Sequence, residues 1–220
     1  MLLQLTFITI AFFTLLLFFL GTGKKLKVLV IGLLWMSISG MLSYYGFFQN
    51  TSSLPPRMLW ILLPVIILTV SCYRKITVIN VNYLIAVHIF RIPIEFILYQ
   101  LFLQDDLPRM MTFAGWNFDI MIGISAIPLL SYTIWFRKNV PHLFFQVWNL
   151  LGCLSLLFIV SIAILSAPSP IQLLSFEHPN LALIKFPYTL LPAVIVPIVL
   201  LSHLFCLNSD NFMKNERNQF

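Results

Sequence analysis

Seven apolar runs, each long enough or nearly long enough to cross a hydrocarbon core, follow one another with only short polar connections between them. They cover about 2–20, 28–48, 58–73, 82–104, 117–136, 144–165 and 186–207. A helix rises 1.5 Å per residue, so roughly 20 apolar residues span a core of about 30 Å. In hydrocarbon the backbone must satisfy its own hydrogen bonds, so such runs are read as helices. The expected fold class is therefore all-α: a polytopic membrane bundle of seven transmembrane helices. It forms a single domain, 1–207, followed by a polar tail, 208–220.

Composition agrees with that reading. Only 9% of the residues are charged against 60% hydrophobic, whereas a soluble domain carries about 25% charged residues. The net charge of +6 is spread in short clusters between runs, as topology signals are. It forms no single patch, so no nucleic-acid partner is expected. Cys72, Cys153 and Cys206 are odd in number and lack a CxxC spacing, which suits free thiols packed among apolar neighbours.

Loop charges set an orientation. The connections after runs one, three and five, with the tail, hold Lys24, Lys25, Lys27, Arg74, Lys75, Arg137, Lys138, Lys214 and Arg217. The opposite connections hold Arg57, Arg109 and Lys185. By the positive-inside rule the N-terminus lies outside and the C-terminus in the cytoplasm, which requires an odd number of spans. Trp60 and Trp116 then fall at the outer interface, and Trp135 and Trp148 at the inner one. Run one lacks a preceding basic segment, so it is read as a retained helix rather than a cleaved signal. In run two, Ser37, Gly40 and Ser43 suggest a helix packed inside the bundle.

The informative residues are the few that are ionisable at membrane depth. His88, Arg91 and Glu95 share one face of run four by their spacing, and Asp119 opens run five. A charge near the bilayer centre costs a few kcal/mol, so such residues face the bundle interior and mark a site. Pro93 weakens the backbone ladder between them. Arg91 is long enough to meet both Glu95 and Asp119, although a Lys or Arg N-terminal to Glu is the poorer local order. That favours a partner on another helix. Gly115, Asp119 and Gly123 recur every four residues, a stripe suited to close packing. Asn117 is a secondary candidate beside Asp119. His88 and His203 lie at matching depths on runs four and seven, as a haem-binding or metal-binding pair would. Gln146, Asn149 and Cys153 form a further polar face on run six. Asp105, Asp106 and Glu177 gather acidic charge on the outer side.

The stretch His88-Ile-Phe-Arg91-Ile-Pro93-Ile-Glu95 is followed by Met111-Thr112-Phe113-Ala-Gly115-Trp-Asn117-Phe118-Asp119-Ile120 and then Gly123. With Phe186-Pro187, Leu191-Pro192 and Pro197 to His203 near the end, it resembles a pattern in uncharacterised bacterial multi-pass membrane proteins. The resemblance covers about half the chain. It implies a location in the bacterial inner membrane and brings no activity with it.

Three roles fit these residues. One is transport or sensing of a small polar or cationic solute, or of protons, at a site between runs four, five and seven. Another is a haem or metal redox protein using His88 and His203, and the third is a non-catalytic membrane scaffold. Hydrolase, P-loop and dinucleotide motifs are absent, so the reading leans away from an enzyme and names neither catalytic residues nor a metal centre. The lipid bilayer is the expected partner, and an oligomer is compatible with it.

Overall fold

In a computed structural model of the chain, the described residues are 1–53, 55–135 and 140–208. Arg137, Lys138, Lys214, Arg217, the end of run five and the tail beyond 208 lie outside them. Among the described residues the protein is all-helical, without a strand. The helices are α1 (Leu2–Gly21), α2 (Leu26–Tyr44), α3 (Leu59–Lys75), α4 (Val81–Ile89), α5 (Arg91–Phe102), α6 (Asp119–Trp135), α7 (His142–Leu165) and α8 (Val196–Leu207). Among the described residues four stretches are long and apolar enough to cross a membrane: α1, α2, the joined α4–α5 run and α7. Two shorter apolar helices are Asp119–Trp135 and Leu191–Leu207.

The joined α4–α5 run is the spine. Its apolar window is 56% buried, against 17% for α2. The helix breaks at Phe90 because Pro93 has no N–H to offer the carbonyl of Ile89 four residues back. Asn80 caps the start of α4 by accepting from the Asn82 amide at 3.1 Å. α1 lies along α4, burying the stripe Phe7, Ile10, Ala11, Thr14, Leu15, Phe18 and Gly21. A Cβ on Gly21 would sit 2.6 Å from Leu84 Cδ2, so a methyl there would require Leu84 to shift. α6 packs on the other side of the spine through Gly123, where a Cβ would meet Ile92 Cγ1 at 2.9 Å and the His88 carbonyl at 3.2 Å.

α2 corrects the sequence reading. It is peripheral, burying Ser39, Gly40 and Ser43 while Ser37 is exposed. Its small residues serve one edge only: Ser43 bonds Thr189 at 2.7 Å, and Gly32 admits Leu15.

Run seven also differs from the expected single helix. Residues 186–189 form turns, Leu191–Ile195 is a π-helical turn, and α8 begins at Val196. Three prolines in the run cannot donate to the ladder. Pro197 has no N–H for the Ala193 carbonyl, and Trp35 Nε1 of α2 donates to that oxygen at 2.9 Å.

At the end where α5 finishes, the 103–118 and 166–190 connections pack on each other. Lys185 pairs with Asp106 at 2.6 Å, and the amides of Leu181 and Ala182 donate to the Asp106 carbonyl at 3.0 and 2.8 Å. Leu107, Met111 and Asn180 are buried beneath. These loops therefore form a packed cap, and Asp106 is spent on Lys185. His178 lies 3.8 Å from Asp105, with both side chains largely exposed.

Candidate polar site

On the interior-facing side of the spine, five helices bring their polar side chains to one place. His88 lies in the last turn of α4, Arg91 and Glu95 occupy the first turn and a half of α5, Asp119 opens α6, Asn149 and Ser155 lie on α7, and His203 lies on α8. His88, Arg91, Glu95, Asp119, Asn117, Asn149 and His203 are all buried, the most open being Asp119 at 7% exposure.

Arg91 is the hub. Its Nη2 lies 2.8 Å from Asp119 Oδ1, a charge contact not aligned as a hydrogen bond. Its Nη1 lies 3.3 Å from His203 Nε2. A guanidinium can only donate, so His203 Nε2 must present its lone pair. The ring proton therefore sits on Nδ1 and is donated to Asn149 Oδ1 at 2.9 Å. Asn149 Nδ2 then donates to the Phe145 carbonyl at 2.8 Å. One consistent set of donors fixes the tautomer of His203, its ring orientation and the amide orientation of Asn149. Gly152 makes room for it, since a Cβ there would collide with the His203 ring.

The two carboxyls have different surroundings. Asp119 Oδ1 takes the guanidinium and also the Ser155 hydroxyl at 2.7 Å. Glu95 Oε1 accepts from Asn117 Nδ2 at 2.5 Å, and no ion pair joins Glu95 to Arg91 among the described residues. Asn117 is a connector: its Nδ2 also donates to the Met111 carbonyl at 3.2 Å, and its Oδ1 accepts the Asp119 amide at 3.1 Å at the start of α6. Glu95 Oε2 and both ring nitrogens of His88 are buried without a hydrogen-bond partner.

The His88 and His203 rings stack face to face, centroids 3.9 Å apart and planes 24° apart, with Trp148 edge-on to His88 at 5.3 Å. Both nitrogens of His203 are engaged and no gap separates the rings, so this arrangement does not present a ligand pair to the two faces of a haem. Among the described residues no group of three or more His, Cys, Asp or Glu could hold a metal. Cys72, Cys153 and Cys206 are free thiols.

The sequence reading placed the site between runs four, five and seven; run six also supplies part of it. Gln146 is not in the cluster, since its Nε2 reaches the Leu207 carbonyl at 3.2 Å near the end of α8. Cys153 is buried but takes no part in the bonds around Arg91. The face of α7 turned to the cluster is Asn149, Gly152 and Ser155, rather than the expected Gln146, Asn149 and Cys153. Ser155 carries no sequence signal of its own, since six residues from Asn149 it stands about 120° round the helix. Trp148 is no interfacial belt residue: it is 7% exposed and donates to Ser125 at 2.8 Å.

Residues 53–209 match the family described as a domain of unknown function, DUF8737. The match covers well over half of the chain, which therefore belongs to that family, and it contains every residue of the polar cluster while α1 and α2 lie outside it. No curated protein and no solved structure matches the chain.

Proposed function

We propose that this protein is a seven-span membrane protein of the bacterial inner membrane, its N-terminus outside and its C-terminus in the cytoplasm. It binds a proton or small cation at Glu95 and moves that charge across the membrane. The observation that carries this reading is a charge count. One guanidinium faces two buried carboxyls, Asp119 holds it, and Glu95 is left with an unpartnered oxygen. A buried carboxylate without a counter-charge is costly, and a proton or a cation on Glu95 balances the cluster.

His88 supports the same reading as a second buried group with free ring nitrogens, placed to exchange protons. The broken spine at Phe90 and the π-turn before α8 support transport over static binding. Discontinuous helices are the recurring way in which transporters build midplane sites, and π-turns recur at functional positions.

The test is flux in proteoliposomes under an imposed pH or cation gradient. Wild-type protein is expected to conduct, and Glu95→Gln to abolish flux while retaining the wild-type gel-filtration profile. Unchanged flux in Glu95→Gln removes Glu95 from the pathway. Full biological function after apolar replacement of Arg91, Glu95 and Asp119 together would favour a scaffold instead.

A further inference from the structure

A second site lies on the other side of the bundle. α2 and α3 form the two walls of an open cleft of about 610 Å³, with α1 and the π-turn–α8 segment as its floor. Apart from Thr69, Ser71 and three lysines, its lining is apolar. The lysines, Lys25, Lys27 and Lys75, all stand at one end. Lys25 Nζ bonds the Lys75 carbonyl at 3.1 Å, which ties the start of α2 to the end of α3 there. Lys27 and Lys75 are exposed, and none of the ion pairs among the described residues includes a lysine of the cleft.

The dimensions select the occupant. Along α3 the lining runs from Val65 to Lys75, and along α2 from Leu26 to Trp35. At 1.5 Å per residue each wall is about 14–15 Å long, half of a hydrocarbon core of about 30 Å. The cleft is thus one leaflet deep, apolar within and basic at its interfacial end. We propose that it holds an acyl chain of an anionic phospholipid, with the phosphate over Lys25, Lys27 and Lys75. On the sidedness proposed above this is the cytoplasmic leaflet, where anionic headgroups draw lysines at about 1 kcal/mol each, roughly fivefold in affinity. The inference rests on the membrane reading and is independent of any role for Glu95.

Trp35 lines the cleft and reports on it. The full chain is reconstituted in phosphatidylcholine bilayers and first floated on a density gradient; a chain that does not float overturns the membrane reading. Phosphatidylglycerol or phosphatidylcholine with brominated acyl chains is then added at equal mole fraction. The Trp35 signal is the difference between wild type and Trp35→Phe. The expected result is several-fold stronger quenching by the brominated anionic lipid, and near-equal quenching by the two lipids in Lys27→Gln/Lys75→Gln, which leaves the Lys25 bond intact. Equal quenching in the wild type, or a preference unchanged in the double variant, overturns the proposal. Should Trp35→Phe fail to fold, the phosphatidylglycerol retained through detergent gel filtration is compared by mass spectrometry between wild type and the double variant. Equal retention is the overturning result there.

Discussion

Arg91 and Asp119 meet at 2.8 Å between α5 and α6, beside Gly123. A Cβ on Gly123 would stand 3.3 Å from Arg91 Cβ, so the glycine and the ion pair belong to one contact. Both side chains are buried, so loss of Arg91 leaves the carboxyls without a counter-charge.

Removing Arg91 alone should therefore cost more than removing the pair. Arg91→Met leaves Glu95 and Asp119 as two buried carboxyls with no guanidinium beside them, with an expected loss of about 3–5 kcal/mol, whereas Asp119→Leu leaves Arg91 with Glu95 and should cost less. The double variant, with one buried carboxyl remaining, is expected to lose less than Arg91→Met. Thermal unfolding in detergent across the double-mutant cycle reads the difference, and strictly additive losses would contradict the pairing.

Gly152→Ala pushes a methyl into the His203 ring. Overpacking of this kind costs about 1–3 kcal/mol, and here it should also displace His203 from Arg91 and Asn149. Ala substituted at Leu151, on the exposed side of α7, serves as the control. Equal melting temperatures for the two variants would show that the ring has room.

The bonding of His203 fixes its tautomer. Because Arg91 supplies only donors, imidazole ¹⁵N shifts are expected to show His203 neutral with its proton on Nδ1. Asn149→Leu removes the acceptor and should change that signal. An Nε2–H form in the wild-type protein would refute the donor assignment.

Trp35 supplies the hydrogen bond that Pro197 cannot give to the Ala193 carbonyl. Trp35→Phe keeps the ring and deletes the donor, so a loss of about 0.5–1.5 kcal/mol is expected. If the free carbonyl is the cause, Pro197→Ala in the same background should recover part of that loss by restoring a backbone donor; no recovery would count against the explanation.

How much was legible beforehand follows from the range of each interaction. The apolar runs, the break near Pro93 and the inward turn of Arg91 and Asp119 are consequences of local composition and helical period. Any chain with those residues at that depth must turn them away from hydrocarbon. The expected stripe Gly115–Asp119–Gly123 holds only for its last two members: Gly115 lies in the turn before α6, against the Arg109 carbonyl. What the sequence left open was partner choice. That Arg91 takes Asp119 while Glu95 takes Asn117, that Ser155 rather than Cys153 faces the cluster, and that α2 lies at the periphery all depend on how seven helical rods rotate against one another. Those rotations are decided by glycines at crossings and by carbonyls freed by proline, contacts between segments far apart in the chain. The sequence by itself determined which side chains must be hidden; only the tertiary packing decided which of them meet, because each pairing is a property of two helix faces at once.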